Sequence, residues 1–338
     1  MTELDAEILA FNLLAFMLLF FIKLNANCSL SLKLNNHNKM LAKKTIIHLP
    51  NNYHYQDFLA YHSRDKQNVA EIITNNQLRK GITCCGQPAE LTFILNKNSI
   101  LVSLQTDNPA AVITEQQLEK LAKNMLSLYQ SVELFEDKYH NHPVIGNLIS
   151  RQQGLRVYQA ATAFEAITWA IIGQQISVAA AIAIRRRFIH AFGKQHSSGI
   201  WCFPSFYAIH ADDEQKLRIC GFSIGKAKTL IALCNMLKNN HHLLNLPVDE
   251  NNLATWTQKL SEIKGIGPWT ISYSLLRGFN YLNGSLHGDV AVQRNLQYLL
   301  NCSERISAKE TEKWLAQYSP WKALVAAHLW QQQSNASY

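Results

Sequence analysis

The sequence predicts a small α+β domain with an antiparallel sheet, followed by an all-α region, and three observations carry that prediction. β-Branched runs separated by Asn-rich turns fill the stretch from Lys43 to Asp107. Strand patterns vanish after Asn147. Beyond that point apolar residues recur at helical spacing, broken at Gly193, Pro204, Gly221 and Gly225.

The elements follow in order. Ile8–Ile22 is an apolar run of about fifteen residues, shorter than the roughly twenty that span a bilayer. It follows Glu3, Asp5 and Glu7, where a signal peptide carries positive charge. Residues 1–39 are therefore expected to be a dispensable extension, with Met40 opening the functional protein; a membrane anchor built around Ile8–Ile22 is the minority reading. KKTIIHLP at 43–50 and ELTFILNKNSILVSLQTD at 90–107 read as strands, with helical stretches near Tyr55–Tyr61 and Gln67–Asn75 between them. Thr114 caps a helix expected to run to about Phe135, and Gln117 completes a capping box. The α+β domain is thus placed at 40–132. FEAITWAII, SVAAAIAIRRRFIHAFG, PSFYAIHA, DEQKLRIC, GKAKTLIALCNMLKN and NNLATWTQKLSEI then predict a bundle of short helices.

The 338 residues are 48% hydrophobic and 17% charged, which fits a folded chain and argues against disorder. The net charge of +8 is unevenly placed. Residues 1–150 hold 13 Lys/Arg and 13 Asp/Glu, whereas residues 151–338 hold 19 and 11, a balance that suits a polyanion partner and equally a generic basic surface. Seven cysteines with no C-x-x-C spacing provide neither a disulfide framework nor a zinc or iron–sulfur site.

Ile263 to Arg294 carries the chemistry. Gly265 and Gly267 end one helix at a tight turn, and Pro268 stands at the first turn of the next, where proline is best tolerated. Converging amides at such a helix start form a sequence-independent phosphate site. A plain helix–helix turn would need only one glycine. Asp289 follows in LHGDVAVQRNL, near the start of another helix. An N-cap role explains it by itself, and the same position can hold a carboxylate at the mouth of a cleft. Trp269 and Tyr273 lie four apart on one helical face, a spacing found in cores as well as pockets.

These motifs, with IIGQQISVAAA at 171–181, GFSIGKAKTLIAL at 221–233 and PWKALVAAHLW at 320–330, resemble the helix-hairpin-helix DNA glycosylase superfamily, in particular the DNA-3-methyladenine glycosylase II type. The similarity runs from about residue 42 to 332. It implies an all-α helix-hairpin-helix glycosylase fold at 133–338. One helical lobe covers about 160–281, and a second combines 133–159 with 282–338. It implies that Asp289 is the catalytic aspartate, that Trp269, Tyr273 and Trp330 line a base pocket with Gln174 at its edge, and that Gly265, Gly267 and Trp269 belong to the phosphate-binding hairpin. The carbonyls of Ser261, Ile263 and Ile266 would hold potassium or sodium. Gln175 occupies the place of a gap-filling residue that is often hydrophobic in the family, and its polarity departs from that pattern.

The resemblance also implies a reaction. Strand-cleaving members carry a lysine where this chain has Trp269, so a monofunctional hydrolase is expected, one that flips alkylated bases such as 3-methyladenine and 7-methylguanine out of double-stranded DNA and leaves an abasic site. Neither an organic cofactor nor an iron–sulfur cluster is expected, nor an obligate protein partner. A cytoplasmic monomer fits this reading. The rival is a non-catalytic DNA-binding protein in which the hairpin persists and Asp289 is idle.

Overall fold

The computed structural model describes residues 42–108, 113–245 and 250–331. The expectations for residues 1–39 lie outside the described residues. Strand β1 (Ala42–His48) and helix α1 (Tyr55–His62) precede β2 (Glu71–Thr74), β3 (Gln77–Cys84), β4 (Gln87–Asn96) and β5 (Ser99–Thr106). They form one antiparallel sheet in the order β1-β5-β4-β3-β2. In β5 the period of two is visible: Ile100, Val102, Leu104 and Thr106 are buried and their neighbours are not. The covered face packs on Phe58 and Leu59 of α1 and on Leu118, Ala122 and Met125 of α2 (Glu115–Met125).

Two expectations in this region are corrected. The helix placed near Gln67–Asn75 is instead strand β2, whose EIIT sequence pairs with β3 across the two-residue turn Asn75-Asn76. Asn75 takes the left-handed conformation (φ 49°) that such a turn requires. The helix starting at Thr114 has the predicted capping box but stops at Met125, not near Phe135. Ser127, at φ 58°, breaks the chain's path and its hydroxyl donates to the Val157 carbonyl at 2.8 Å. A separate helix α3 (Val132–Tyr139) follows.

The remaining helices are α4 (Gly146–Arg151), α5 (Ala163–Gly173), α6 (Val178–Phe192), α7 (Glu214–Ile219), α8 (Ile224–Asn239), α9 (Glu250–Ser261), α10 (Pro268–Phe279), α11 (Val290–Leu299), α12 (Ala308–Ala316) and α13 (Lys322–Gln331). The PSFYAIHA segment forms only a short 3-10 turn, Phe206–Ala208, and a two-residue ladder joins Lys194–Gln195 to Trp201–Cys202. That ladder meets the main sheet at Gly81, where a Cβ would lie 2.1 Å from the Trp201 carbonyl oxygen. Among the described residues no helix is long and apolar enough to cross a membrane.

Helix α10 divides the helical part. Ile271, Leu275 and Phe279 enter one core with Phe188, Leu230 and Trp256, whereas Tyr273 and Leu276 enter a second with Leu296, Leu324 and Leu329. Small residues let α10 and α5 approach closely, since a Cβ on Gly278 would sit 3.1 Å from that of Ala166. The start of α10 is therefore fixed from both sides.

In the second core His328 lies beside Phe135, with ring centroids 5.4 Å apart, and its Nδ1 is 2.8 Å from Gln152 Oε1. Burial pushes the imidazole down from its ordinary 6.5 to about 3. The unfolded chain therefore takes up a proton first as pH falls. The contribution is complete above pH 6.5 and shrinks below it, by at most about 1.4 kcal/mol per pH unit down to about pH 3. Urea unfolding should show a lower midpoint at pH 5 than at pH 7.5, and His328→Gln should flatten part of that slope. An unaltered slope in the variant would count against this account.

Candidate active site

The hairpin begins where α9 ends at Ser261. The Ile266 amide donates to the Ile263 carbonyl at 3.0 Å, closing a four-residue turn with Gly265 at its third position and φ of 96°. Turns of this kind need positive φ there, hence glycine. Packing makes a second demand, because a Cβ on Gly265 would lie 2.2 Å from Thr229 Oγ1. That hydroxyl lies 2.8 Å from the Lys264 carbonyl oxygen and ties the turn to α8. Gly267 then caps α10 and Pro268 opens it, as expected from the sequence. A Cβ on Gly267 would meet no protein atom within 4 Å, so this side of the hairpin is open. The first amides of α10 have no partner within the helix, and this geometry suits an anion.

Asp289 caps α11. Its Oδ1 accepts from the amides of Ala291 (2.9 Å) and Val292 (3.1 Å) and from Trp330 Nε1 (3.1 Å). Its Oδ2 accepts from Trp269 Nε1 at 2.9 Å. All four partners are donors, which suits a carboxylate offering only acceptor sites. The N-cap role and a placed, oriented carboxylate thus coexist in one side chain. Three distant segments meet at it: the start of α10, the start of α11 and the end of α13.

The aromatic residues assemble around this carboxylate. Trp269 stacks on Tyr273 with centroids 5.2 Å apart and planes inclined by 26°, and Tyr273 lies 6.1 Å from Trp330. Gln174 caps the C-terminal end of α5, and its amide donates to the Gly265 carbonyl and to Thr270 Oγ1, both at 2.9 Å. It braces the hairpin as well as edging the cleft. Gln175 follows in a left-handed conformation (φ 55°) and is exposed. Lys226 Nζ donates to the carbonyls of Ile172 (2.8 Å) and Gln174 (2.7 Å), holding the backbone from which Gln175 projects.

Gln174, Gln175, Gly265, Gly267, Trp269, Tyr273, Asp289 and Trp330 all line one cleft of about 1270 Å³. The sequence reading missed other contributors to its wall. Trp169 of α5 donates from Nε1 to the Tyr273 hydroxyl at 3.1 Å. Its position four residues before Gly173, on one helical face, was the available signal. Ile176 and Val178 put apolar surface beside Gln175, 38% and 45% exposed. Ser63, Arg64 and Lys66 come from the loop after α1, and no local pattern marks them.

The α+β domain, the hairpin and the capped carboxylate are the features against which known proteins can be compared. Residues 168–320 match the family of the HhH-GPD superfamily base excision DNA repair protein, and the chain carries this domain. Over 290 residues it is 23% identical to a DNA-3-methyladenine glycosylase of Bacillus subtilis (strain 168), covering 84% of this chain and 95% of that one. It is 29% identical over 189 residues to DNA-3-methyladenine glycosylase 2 of Escherichia coli (strain K12), covering 55% of this chain but only 63% of the relative. The fold is similar to the solved 3-methyladenine DNA glycosylase from Archaeoglobus fulgidus, with a TM-score of 0.71, 20% identity, and coverage of 85% of this chain and 97% of that one.

Proposed function

We infer that the chain is a monofunctional DNA glycosylase that flips alkylated bases out of double-stranded DNA and hydrolyses their glycosidic bond, leaving an abasic site. One observation carries the reading: an oriented carboxylate, Asp289, stands on the wall of an aromatic cleft that opens beside a hairpin whose free amides suit a phosphate. Alkylation at a ring nitrogen makes a base cationic and a good leaving group. Electron-rich rings attract such a base by cation–π contact worth roughly 0.5–2 kcal/mol per ring. Damaged bases cost less to unstack, which favours their capture. Asp289 would stabilise the positive charge that develops on the sugar and orient the attacking water.

Gln175, with Ile176 beside it, would occupy the gap left in the duplex. The carbonyls of Ser261, Ile263 and Ile266 suit a hard monovalent cation. Ser261 ends α9, where the last carbonyls lack helical partners, and the Ile263 oxygen keeps a lone pair beside its single turn hydrogen bond. Bound potassium or sodium would add positive charge facing the phosphate. The protein would work as a monomer on DNA.

The test is to incubate the purified chain with alkylated duplex DNA and identify released bases by mass. Release of 3-methyladenine or 7-methylguanine is expected, and binding without any release would leave the architectural reading standing. Trp269 offers no amine, but Lys66 lines the cleft. Borohydride trapping is therefore the second arm: a covalent enzyme–DNA adduct would overturn the monofunctional part.

A further inference from the structure

Arg64 lines the same cleft wall as Asp289 and Tyr273, yet it comes from the loop after α1 and not from the helical glycosylase region. It also lines a second, smaller cavity of about 60 Å³, together with Tyr61, Arg277, Trp169 and Glu165. Its guanidinium carbon stands 4.4 Å from the centroid of the Tyr61 ring. Arg277 flanks that ring at 4.8 Å and the Tyr273 ring at 6.0 Å. Asp65, next to Arg64 in the chain, accepts from Arg186 Nη2 at 2.6 Å, which fixes the loop against α6. The cleft is therefore polar in one direction. Carboxylate charge lies at the Trp269–Trp330 end, and at the other end Arg64, Lys80, Arg185 and Arg277 outnumber Asp65, Glu71 and Glu165 by one.

An arginine keeps its charge in any protein environment. Near a bound base it therefore repels a cationic ring and attracts one that gains negative charge. The two kinds of lesion differ in this respect. In hydrolysis of a cationic base, the C1′–N bond breaks with its electron pair going to the base, the water oxygen bonds to C1′, a neutral base departs, and a proton goes to solvent. With a neutral base the same bond changes put negative charge on the departing ring, and the water's proton ends on that ring. Only the second case has anionic charge that a guanidinium can stabilise in the transition state.

Resting on the glycosylase reading above, we propose that Arg64 determines specificity, favouring neutral purines with an exocyclic oxygen, such as hypoxanthine, over cationic 7-methylguanine. Its planar fork of donors matches the paired O6 and N7 acceptors of hypoxanthine, whereas 7-methylguanine keeps O6 but has lost the N7 acceptor to the methyl group. The aromatic residues Trp269, Tyr273 and Trp330 serve both lesions by stacking, and Arg64 sets the ratio between them.

Single-turnover base release from duplexes carrying hypoxanthine or 7-methylguanine tests this with the full chain. Arg64→Met should lower hypoxanthine release about tenfold or more and leave 7-methylguanine release unchanged or faster. Arg64→Lys, which keeps charge but loses the fork, should fall between. Equal loss on both lesions, an unchanged ratio, or weakened binding to undamaged duplex (a phosphate contact) would each overturn the proposal. If Arg64→Met does not fold, as judged by thermal melting, the ratio in Arg64→Lys decides. If the unsubstituted chain releases neither base, the glycosylase reading itself fails; if it releases them and the ratio does not move, only the Arg64 assignment fails.

Discussion

Asp289→Asn should reduce base release by about 10²–10⁴-fold while leaving duplex affinity within a few-fold of the unsubstituted chain. The substitution preserves size and one carbonyl oxygen, so the cap on α11 can persist through the Ala291 and Val292 amides. It cannot preserve all four contacts. Trp269 and Trp330 donate to different oxygens of the carboxylate, and an amide offers only one acceptor. One indole N–H must then face an NH₂ group, which displaces a ring of the base pocket as well as removing the charge. Binding is expected to survive because the hairpin is held independently, by the Ile263–Ile266 turn and by Thr229. Single-turnover release from alkylated duplex, with a parallel gel-shift titration, separates the two effects. Release within threefold of normal would remove Asp289 from the chemistry and return it to a helix cap.

Legibility in the sequence followed the range of the interaction. Gly265, Gly267, Pro268 and Asp289 were readable because turns, caps and first-turn prolines are decided within four residues. The packing clash at Gly265 with Thr229 confirms the same glycine for a reason that no local pattern shows. Trp330 entered only through a resemblance, since 41 residues separate it from the carboxylate it contacts. Trp169 and Arg64 were missed. The first sits in an apolar helix where a tryptophan looks like core, and the second lies in a loop that reaches the cleft only through tertiary packing. The misplaced elements had a similar cause: β2 is too short for its period to stand out, and Ser127's left-handed backbone has no glycine or asparagine to announce it.

A buried ionic cluster joins β2 and β3 to α5 and α6, and breaking it should have the largest effect on stability. Lys80 of β3 is 1% exposed, and its Nζ donates to Glu71 of β2 and to Glu165 of α5. Arg185 of α6 binds the same two carboxylates, with Nη2 2.6 Å from Glu71 Oε1 and 2.8 Å from Glu165 Oε1. Burial alone would discharge Lys80, but Glu165 and Glu71 outweigh it and hold the ammonium above its ordinary pKa. Burial likewise opposes the charge on Glu71, and Arg185 with Lys80 overcomes it, holding that carboxyl well below the usual range. The sheet and the helices that wall the cleft are thus joined by two cations and two anions, all buried or nearly so. Lys80→Met leaves two buried carboxylates sharing one guanidinium, and an uncompensated buried charge costs about 3–5 kcal/mol. Urea unfolding should show that loss as a lower midpoint with an unchanged slope. Adding Glu71→Gln should recover part of it, because the pair removed together leaves one carboxylate matched to Arg185. A loss below about 1 kcal/mol in Lys80→Met would mean that water reaches the cluster and screens it as at a surface. The junction would then be held by the contacts at Gly81 and by Arg186 with Asp65.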